Sequence, residues 1–461
     1  MLMRFAALGG GEAAARLLAF LGTVYLARTL PPALYGVVGF VAGVMLYLTQ
    51  VVDRGVELVG VGLTAHADAA DATLVPPLVA ARFRAAAVVI GTVVLAGLVL
   101  LPQPDGALLA GASLTLLATA LSTRWLHVGH ERVQVVAVAR TLGEGTALVL
   151  TVLLVRDAGS VEHLPGIQFG GAIFASGVML AALRRRGAPL RWDDAREVAA
   201  PVLRRGRPVV AFTLLGLVLF NFDLLFLRAW SGADSAGYYA VAYAVIAFLA
   251  NLLIAFAHAL LPSLARHAGD APARDVLFAD AMAQALAVTL PLAVGAWYVA
   301  PMVLEGVYGS AYLPGVVALR WLLASIPLAA VRELVIAALL AGERETDVLR
   351  VNAVAVACNV LLVVGLVPAY GLAGAAIATL VAEIVRTWLA IRALGRAGYR
   401  GFAPGRLVKP GVATAVMSGA LWFVAPGSVW SSVPLGIASY ALVLAGVGGL
   451  VIGRRAIALR V

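Results

Sequence analysis

The chain has 461 residues, of which 62% are hydrophobic and 13% are charged, and its mean hydropathy is +0.98. A chain this apolar is not a soluble protein, because it holds many runs long enough to cross roughly 30 Å of hydrocarbon. The formal net charge is +10, and arginine supplies nearly all of the basic charge since Lys409 is the sole lysine. We expect this charge to reflect membrane topology and attraction to anionic lipids, and we predict no nucleic-acid partner. The single Cys358 excludes an internal disulfide.

Hydrophobic runs along the chain predict an all-α polytopic membrane protein with about 14 transmembrane helices of about 20 residues each. The predicted spans lie near residues 5–29, 36–58, 78–101, 107–126, 134–155, 165–183, 208–229, 237–260, 280–303, 315–340, 349–367, 371–393, 407–425 and 433–452. The first span begins after Arg4 and is too long for the apolar region of a signal peptide, so we expect a retained helix. The connections on the predicted outer side are short, so we expect no soluble domain of any size.

The sequence also contains an internal repeat. Residues 25–50 resemble residues 226–251, and residues 165–174 (PGIQFGGAIF) resemble residues 368–377 (PAYGLAGAAI) at nearly the same offset. The predicted domains are an N-terminal six-helix lobe at 1–183, a basic cytoplasmic linker at 184–207, a C-terminal six-helix lobe at 208–395 and two additional transmembrane helices at 396–461. Because each half has an even number of spans, we expect two lobes related by a pseudo-twofold axis along the membrane normal.

Arginines are concentrated on one side of the predicted spans. With a cytoplasmic N-terminus, the outer loops hold Arg28, Arg156 and Arg228. The inner loops then hold Arg82, Arg132, the segment 184–207, Arg266, Arg274, Arg344, Arg350, the segment 392–409, Arg454, Arg455 and Arg460. This bias predicts that both termini are cytoplasmic. The dominance of arginine over lysine is typical of a GC-rich bacterial genome, so we expect a multi-pass protein of the bacterial plasma membrane.

Several charged residues fall inside the predicted spans. Glu12 with Arg16 in the first span, and Arg140 with Glu144 in the fifth, are spaced i, i+4, so each pair lies on one helix face. A charge at the middle of the bilayer costs at least about 2.5 kcal/mol, so these residues should face a protein interior or a wet cavity. Each pair could simply neutralise itself and hold helices together. Alternatively, several arginines at one depth would build a cationic cavity for an anionic head group.

Two further spans carry charges. Glu383 and Arg386 are spaced i, i+3 in the twelfth span, and Asp223 stands beside Asn221 in the seventh. Asp223 has no basic residue within a turn, so it is the acid best placed to take up and release a proton. The alternative is that Asp223 accepts hydrogen bonds from neighbouring helices and never titrates. The predicted substrate-binding residues are Arg16, Arg140 and Arg386, and the predicted coupling residues are Asp223, Glu12, Glu144 and Glu383.

Three other patterns predict no catalytic or metal site. The GGGE motif at Gly9 lies inside an apolar span and lacks the preceding strand and the lysine of a phosphate-binding loop. Asp193 and Asp194 lie in the basic linker, with no fold around them to hold a sugar nucleotide. The histidines are scattered along the chain without the spacing of zinc ligands. We therefore predict a protein that is not an enzyme and that has no cofactor and no bound metal.

Four segments form a pattern: residues 9–40 (GGGEAAARLLAFLGTVYLARTLPPALYGVVGF), 53–60 (DRGVELVG), 223–245 (DLLFLRAWSGADSAGYYAVAYAV) and 339–383 (LLAGERETDVLRVNAVAVACNVLLVVGLVPAYGLAGAAIATLVAE). They resemble the polysaccharide exporters and O-antigen flippases of the multidrug/oligosaccharidyl-lipid/polysaccharide (MOP) superfamily. The resemblance covers most of residues 5–395. It implies a two-lobed bundle that alternates access and moves an undecaprenyl-pyrophosphate-linked oligosaccharide to the outer leaflet. It also implies polysaccharide polymerase and glycosyltransferases as partners.

Other functions stay open as alternatives. Lipid II flippases share the number of spans and the pattern of Arg16, Leu18 and Phe20, but they typically follow it with an Arg-Asp pair where this chain has Gly22 and Thr23. Multidrug cation exporters resemble the chain less, because they rely on acidic cavities whereas this chain has as many arginines as acids near the midplane. A membrane-embedded oligosaccharide polymerase or ligase would need a large external loop, which the sequence does not predict.

Overall fold

The computed structural model describes residues 2–64, 73–186, 196–267, 270–399, 404–424, 428–452 and 457–459. Asp193 and Asp194, in the predicted linker, lie outside the described residues. The helices are α1 (Leu2–Thr29), α2 (Pro32–Asp53), α3 (Val56–Thr64), α4 (Val75–Leu100), α5 (Asp105–Ala112), α6 (Thr115–Leu121), α7 (Arg124–Gly129), α8 (Val133–Leu154), α9 (Leu164–Arg184), α10 (Arg196–Ser231), α11 (Ala233–Arg266), α12 (Ala271–Tyr308), α13 (Val316–Ala324), α14 (Ile326–Ala341), α15 (Glu345–Arg396), α16 (Val408–Val424) and α17 (Val429–Gly446). A short antiparallel hairpin follows, formed by β1 (Leu450–Ile452) and β2 (Ile457–Leu459).

The number of membrane spans agrees with the sequence prediction. In the described residues, 12 helical stretches are long and apolar enough to cross a membrane. One of them is α15, whose 52 residues would extend about 78 Å as a straight helix. Its helical geometry is interrupted at Gly371 (φ 52°, ψ −127°), so α15 supplies two spans. With α1 over the first predicted span, the total reaches fourteen, and the all-α polytopic fold class is confirmed.

Three of the predicted spans are not single helices. The second span breaks between α2 and α3, where Arg54 (φ 57°) and Gly55 (φ 75°) both adopt left-handed backbone conformations. The fourth span consists of α5, α6 and α7, and the tenth consists of α13 and α14 on either side of Ser325. Pro327 starts α14, because proline fits the first turn of a helix but not its interior. Sequence periodicity does not reveal such breaks, since hydrophobicity continues through them.

Contacts between Cα atoms divide the chain into unit 1 (Met1–Asn221) and unit 2 (Phe222–Val461). The division falls inside α10. The first part of this helix is held in unit 1, where Tyr47 of α2 donates a 2.9 Å hydrogen bond to the Leu217 carbonyl. Gly206 of α10 also meets the α2–α3 break, and a Cβ on Gly206 would lie 2.1 Å from the carbonyl oxygen of Arg54. The two-lobe symmetry and the separate linker at 184–207 stay predictions.

Small residues allow close helix packing in unit 1. A Cβ on Gly143 of α8 would lie 2.7 Å from the Gly171 carbonyl oxygen of α9, and a Cβ on Gly171 would meet the Gly143 carbonyl at the same distance. Lipid tails are as apolar as side chains, so helices in membranes associate largely through such close van der Waals contact. This contact places α8, with its predicted charged pair, firmly against α9.

Candidate functional site

In unit 1, the helices that carry the first and the fifth predicted spans, α1 and α8, pack against each other. A Cβ on Gly145 would lie 3.8 Å from Leu18, and the Tyr25 hydroxyl donates a 2.9 Å hydrogen bond to the Val155 carbonyl. Both sequence numbers increase together along the contact, so the two helices are parallel. This register aligns Leu18 with Gly145, and it therefore places residue 16 at about the level of residue 143.

The register gathers the predicted charged residues of unit 1 at one level. Arg16 lies close to the level of Arg140 and Glu144, which are separated by one turn of α8. Arg16 is exposed, and the side chains of Arg140 and Glu144 are partly buried. The side chain of Glu12 lies outside the described residues. Two arginines from facing helices thus share one depth, as the hypothesis of a cationic substrate site requires.

In unit 2, Asp223 is 1% exposed and is held by three hydrogen-bond donors. Its Oδ1 accepts the Leu224 backbone N–H at 2.9 Å. Its Oδ2 accepts the Thr379 hydroxyl of α15 at 3.0 Å and the Tyr239 hydroxyl of α11. The structure gives Asp223 no basic partner among the residues it describes, which agrees with the sequence expectation. We call Asp223, Tyr239 and Thr379 the Asp223 site.

A second buried polar group lies in the same unit. Arg332 of α14 forms ion pairs with Glu383 of α15 and, at 2.5 Å, with its neighbour Glu333. The Arg386 guanidinium donates to the Asn352 side-chain oxygen at 3.0 and 2.8 Å, and its Nη1 lies 3.9 Å from Glu383. These five residues form the Glu383 cluster. Its two arginines and two glutamates balance in charge, whereas the Asp223 site carries one uncompensated carboxylate.

The two groups are adjacent along two helices. Thr379 and Glu383 are separated by four residues on α15, so they lie on one face about 6 Å apart. On α11, Tyr239 and Tyr243 have the same spacing, and their rings stack with centroids 6.1 Å apart. A change at the Asp223 site therefore occurs one helical turn from the Glu383 cluster.

Glu383 and Arg386, the two predicted site residues of α15, belong to the Glu383 cluster. Glu383 and Arg386 do lie together, but Arg386 is only 6% exposed and its guanidinium is held by Asn352. Sequence reasoning overlooked Arg332 and Glu333, although both fall in the middle of the predicted span 315–340. Their depth within the span is the same sequence signal that indicates Glu383. Glu333 of α14 is thus a further acid inside the spans, in addition to the predicted coupling residues Glu12, Glu144, Asp223 and Glu383.

Arg82 was expected in a cytoplasmic loop, and this expectation is wrong. It lies within α4, is completely buried, and pairs with Asp53 at the end of α2 at 3.2 Å. Arg82 also donates to the Ser122 carbonyl at the end of α6, and Asp53 accepts the backbone N–H of Glu57 at 3.1 Å. The pair thus connects the ends of α2 and α6, where the second and fourth spans are interrupted. This structural role cannot be predicted from the distribution of arginines between loops.

An apolar cavity of about 440 Å³ lies in unit 2 between α12 and the last two helices, α16 and α17. Its walls include Pro291, Gly295, Met417, Leu421, Gly436 and Tyr440. The Tyr440 hydroxyl donates a 2.5 Å hydrogen bond to the Ala287 carbonyl. The remaining lining offers hydrocarbon contacts almost exclusively.

The described residues contain no group of three or more His, Cys, Asp or Glu side chains that could hold a metal ion. What the fold and the two polar groups define is an α-helical polytopic membrane protein with charged residues buried inside its spans. Residues 3–267 match the model of a family described as polysaccharide biosynthesis protein. Because the match spans more than half of the chain, the chain belongs to this family, and the predicted family is confirmed.

Solved structures show the same fold. The chain is similar to a structure described as the lipid II flippase MurJ in an inward closed conformation, with a TM-score of 0.80, 13% identity and coverage of 96% of this chain and 98% of that one. It is also similar to an inward-facing multidrug resistance MATE family transporter of the MOP superfamily, with a TM-score of 0.67, 14% identity and coverage of 84% and 96%. No curated protein matches the sequence significantly. At these identities the similarities show the fold, which is the predicted one.

Proposed function

We propose that the protein is a flippase that moves an undecaprenyl-pyrophosphate-linked oligosaccharide across the bacterial plasma membrane by alternating access. Membership of residues 3–267 in the polysaccharide biosynthesis family is the observation that carries this proposal. The transporter-like fold and the buried polar groups support this proposal, because ionisable residues inside membrane spans are costly and usually serve a function. In this proposal both termini are cytoplasmic, and glycosyltransferases and a polysaccharide polymerase act before and after the flipping step.

Arginines of unit 1 are the proposed ligands of the substrate's diphosphate. Arg16 and Arg140 share one level on adjacent helices, and Arg16 is exposed. A guanidinium remains charged at all relevant pH values and offers a fork of donors to phosphate oxygens. Arg386 is engaged by Asn352 in this conformation, so its proposed contact with the substrate requires release from that partner in another conformation.

Asp223 is the proposed coupling residue, and Glu383, Glu12 and Glu144 support it. A buried carboxylate without a basic partner is costly as a bare ion, and binding a proton or a metal cation removes that cost. The hydrogen bonds from Tyr239 and Thr379 connect this event to α11 and α15. Cation occupancy of Asp223 would therefore alter contacts among three helices of unit 2.

The apolar cavity beside α16 and α17 fits the hydrocarbon portion of the proposed substrate. A polyprenyl chain has no polar groups to satisfy, and it gains contact with an apolar wall such as that formed by Met417 and Leu421. The diphosphate and the sugar need polar partners instead, which this cavity does not offer. We therefore assign the cavity to a segment of the lipid tail.

A lipid II flippase is the second candidate. It is favoured by the TM-score of 0.80 over 96% of the chain to the structure described as MurJ. The test is reconstitution of the full chain in proteoliposomes with two fluorescent substrates, lipid II and an undecaprenyl-pyrophosphate oligosaccharide without the peptide. We expect flipping of the oligosaccharide substrate and little flipping of lipid II. Transport of lipid II alone would refute the first candidate, and transport of neither would refute both.

A further inference from the structure

The second half of α15 has two opposite faces. A helix turns by about 100° per residue, so Thr379 and Glu383 lie on one face, and this face is directed into unit 2 towards the polar groups described above. Trp388 lies on the opposite face and Ile384 one turn before it, and the two side chains are 53% and 47% exposed. An exposed apolar stripe on a membrane-spanning helix contacts lipid, because the hydrocarbon around it accepts such side chains without cost.

Basic residues continue this lipid-facing stripe to the end of the helix. Arg392 follows Trp388 by one turn, and its guanidinium carbon lies 4.7 Å from the centroid of the Trp388 ring. Arg396 follows one turn later and is the last residue of α15. Tryptophan is enriched at the level of lipid head groups, and arginine beside it reaches the phosphate layer. The stripe therefore passes from hydrocarbon contacts to phosphate contacts within about three turns.

The two arginines differ from those at the start of α15 in their partners. Arg344 and Arg350 lie 2.6 and 3.9 Å from carboxylate oxygens of Asp347. The two spans of α15 form a helical hairpin about Gly371, since Arg386 of the second span donates to Asn352 of the first. No described carboxylate forms an ion pair with Arg392 or Arg396, although Glu343 and Glu345 are at the same end of this hairpin. Stacking on Trp388 occupies one face of the Arg392 guanidinium and leaves its N–H edge available to an acceptor.

We propose that Trp388, Arg392 and Arg396 form a binding site for an anionic phospholipid of the surrounding leaflet. The arginines bind the phosphate group through charge-assisted hydrogen bonds, Trp388 covers the glycerol region, and Ile384 contacts the acyl chain. The occupant is a bilayer lipid and not the transported substrate, because the site is on the face of α15 opposite to Thr379 and Glu383. It is therefore independent of the proposed flipping activity.

Quenching of tryptophan fluorescence tests the site, since Trp388 is itself a reporter. The full-length protein is reconstituted in nanodiscs of phosphatidylcholine containing increasing amounts of brominated phosphatidylglycerol, and the quenching that disappears in Trp388→Phe is assigned to Trp388. Each basic residue near an anionic surface strengthens binding about fivefold, so Arg392→Gln combined with Arg396→Gln should weaken the phosphatidylglycerol preference roughly 30-fold. The Arg392→Gln single variant should weaken it about fivefold, which preserves the test if the double variant does not fold.

The matched control is Arg344→Gln, because Arg344 is at the same end of the hairpin but is already paired with Asp347. This control should quench as the unmodified protein does. The proposal is overturned if both arginine variants keep the full preference for phosphatidylglycerol. The arginines would then contribute only to membrane topology and to stabilising the C-terminus of the helix. It is also overturned if brominated phosphatidylcholine quenches Trp388 equally, or if inorganic phosphate displaces the lipid effect.

Discussion

Replacing Asp223 with asparagine separates the coupling role of this residue from its structural role. The amide has nearly the same shape as the carboxylate, but it cannot bind a proton in the working pH range and it carries no charge to attract a metal cation. We expect Asp223→Asn to fold and to bind substrate, while its flipping rate no longer responds to a proton or sodium gradient. The measurement is flipping of a fluorescent lipid-linked oligosaccharide in proteoliposomes.

The structure sets the expected size of the stability change. Asp223 accepts hydrogen bonds from Leu224, Tyr239 and Thr379. Asparagine has one acceptor oxygen in place of two, so with that oxygen towards the Leu224 N–H the Tyr239 and Thr379 hydroxyls must reverse and accept from its NH₂ group. Hydrogen bonds to a charged group contribute about 1.5–3 kcal/mol and those to a neutral group about 0.5–1.5 kcal/mol, so each of the three bonds weakens by roughly 1 kcal/mol. Relief from burying a charge offsets part of this loss. We therefore expect the free energy of unfolding to change by less than about 2 kcal/mol.

The assay varies external pH at constant sodium and then sodium at constant pH, so that it identifies the coupled cation. Asn221→Ala is the matched control, because Asn221 lies two residues from Asp223 on α10 and bonds only weakly, at 3.4 Å, to the Leu217 carbonyl. The control should retain the full gradient dependence. If Asp223→Asn transports at the full rate with unchanged pH and sodium dependence, the coupling assignment is refuted and Asp223 is a structural hydrogen-bond acceptor.

Three more predictions concern substrate binding, stability and packing. Arg16→Ala should reduce oligosaccharide flipping at least tenfold, whereas Arg16→Lys should retain part of it because the charge remains. If Arg16→Ala flips the oligosaccharide as fast as the unmodified protein, Arg16 does not bind the substrate. Arg332→Gln leaves Glu333 without a cation and Glu383 with only Arg386, at 3.9 Å, and should lower the free energy of unfolding by about 3–5 kcal/mol, measured by thermal unfolding in detergent. Arg344→Gln, at a more exposed pair, should change it by less than about 1 kcal/mol. Gly143→Val must separate α8 from α9, so we expect a lower melting temperature, and unchanged melting would show that this contact adapts easily.

Several properties follow from the amino-acid sequence without the tertiary structure. The hydrophobic runs determine the fold class and the number of spans, because each helix must satisfy its backbone hydrogen bonds internally in lipid and must match the bilayer thickness. The isolation of Asp223 from basic residues is also readable from its neighbours on α10, since side chains three and four residues apart share a helix face. The placement of Arg16 and Arg140 at one level was inferred from their depth and agrees with the α1–α8 register.

The tertiary structure decided which charged residues meet across helices. No local pattern links Asp223 to Tyr239 and Thr379, or Arg332 to Glu383, because these partners are 16 to 156 residues apart in the chain. Packing also places Arg386, a predicted substrate ligand, within hydrogen-bond distance of Asn352. Local periodicity specifies which face of a helix a residue occupies, but the contacts of that face depend on which helices lie beside it. The positions of neighbouring helices are set by close packing of small residues such as Gly143 and Gly171.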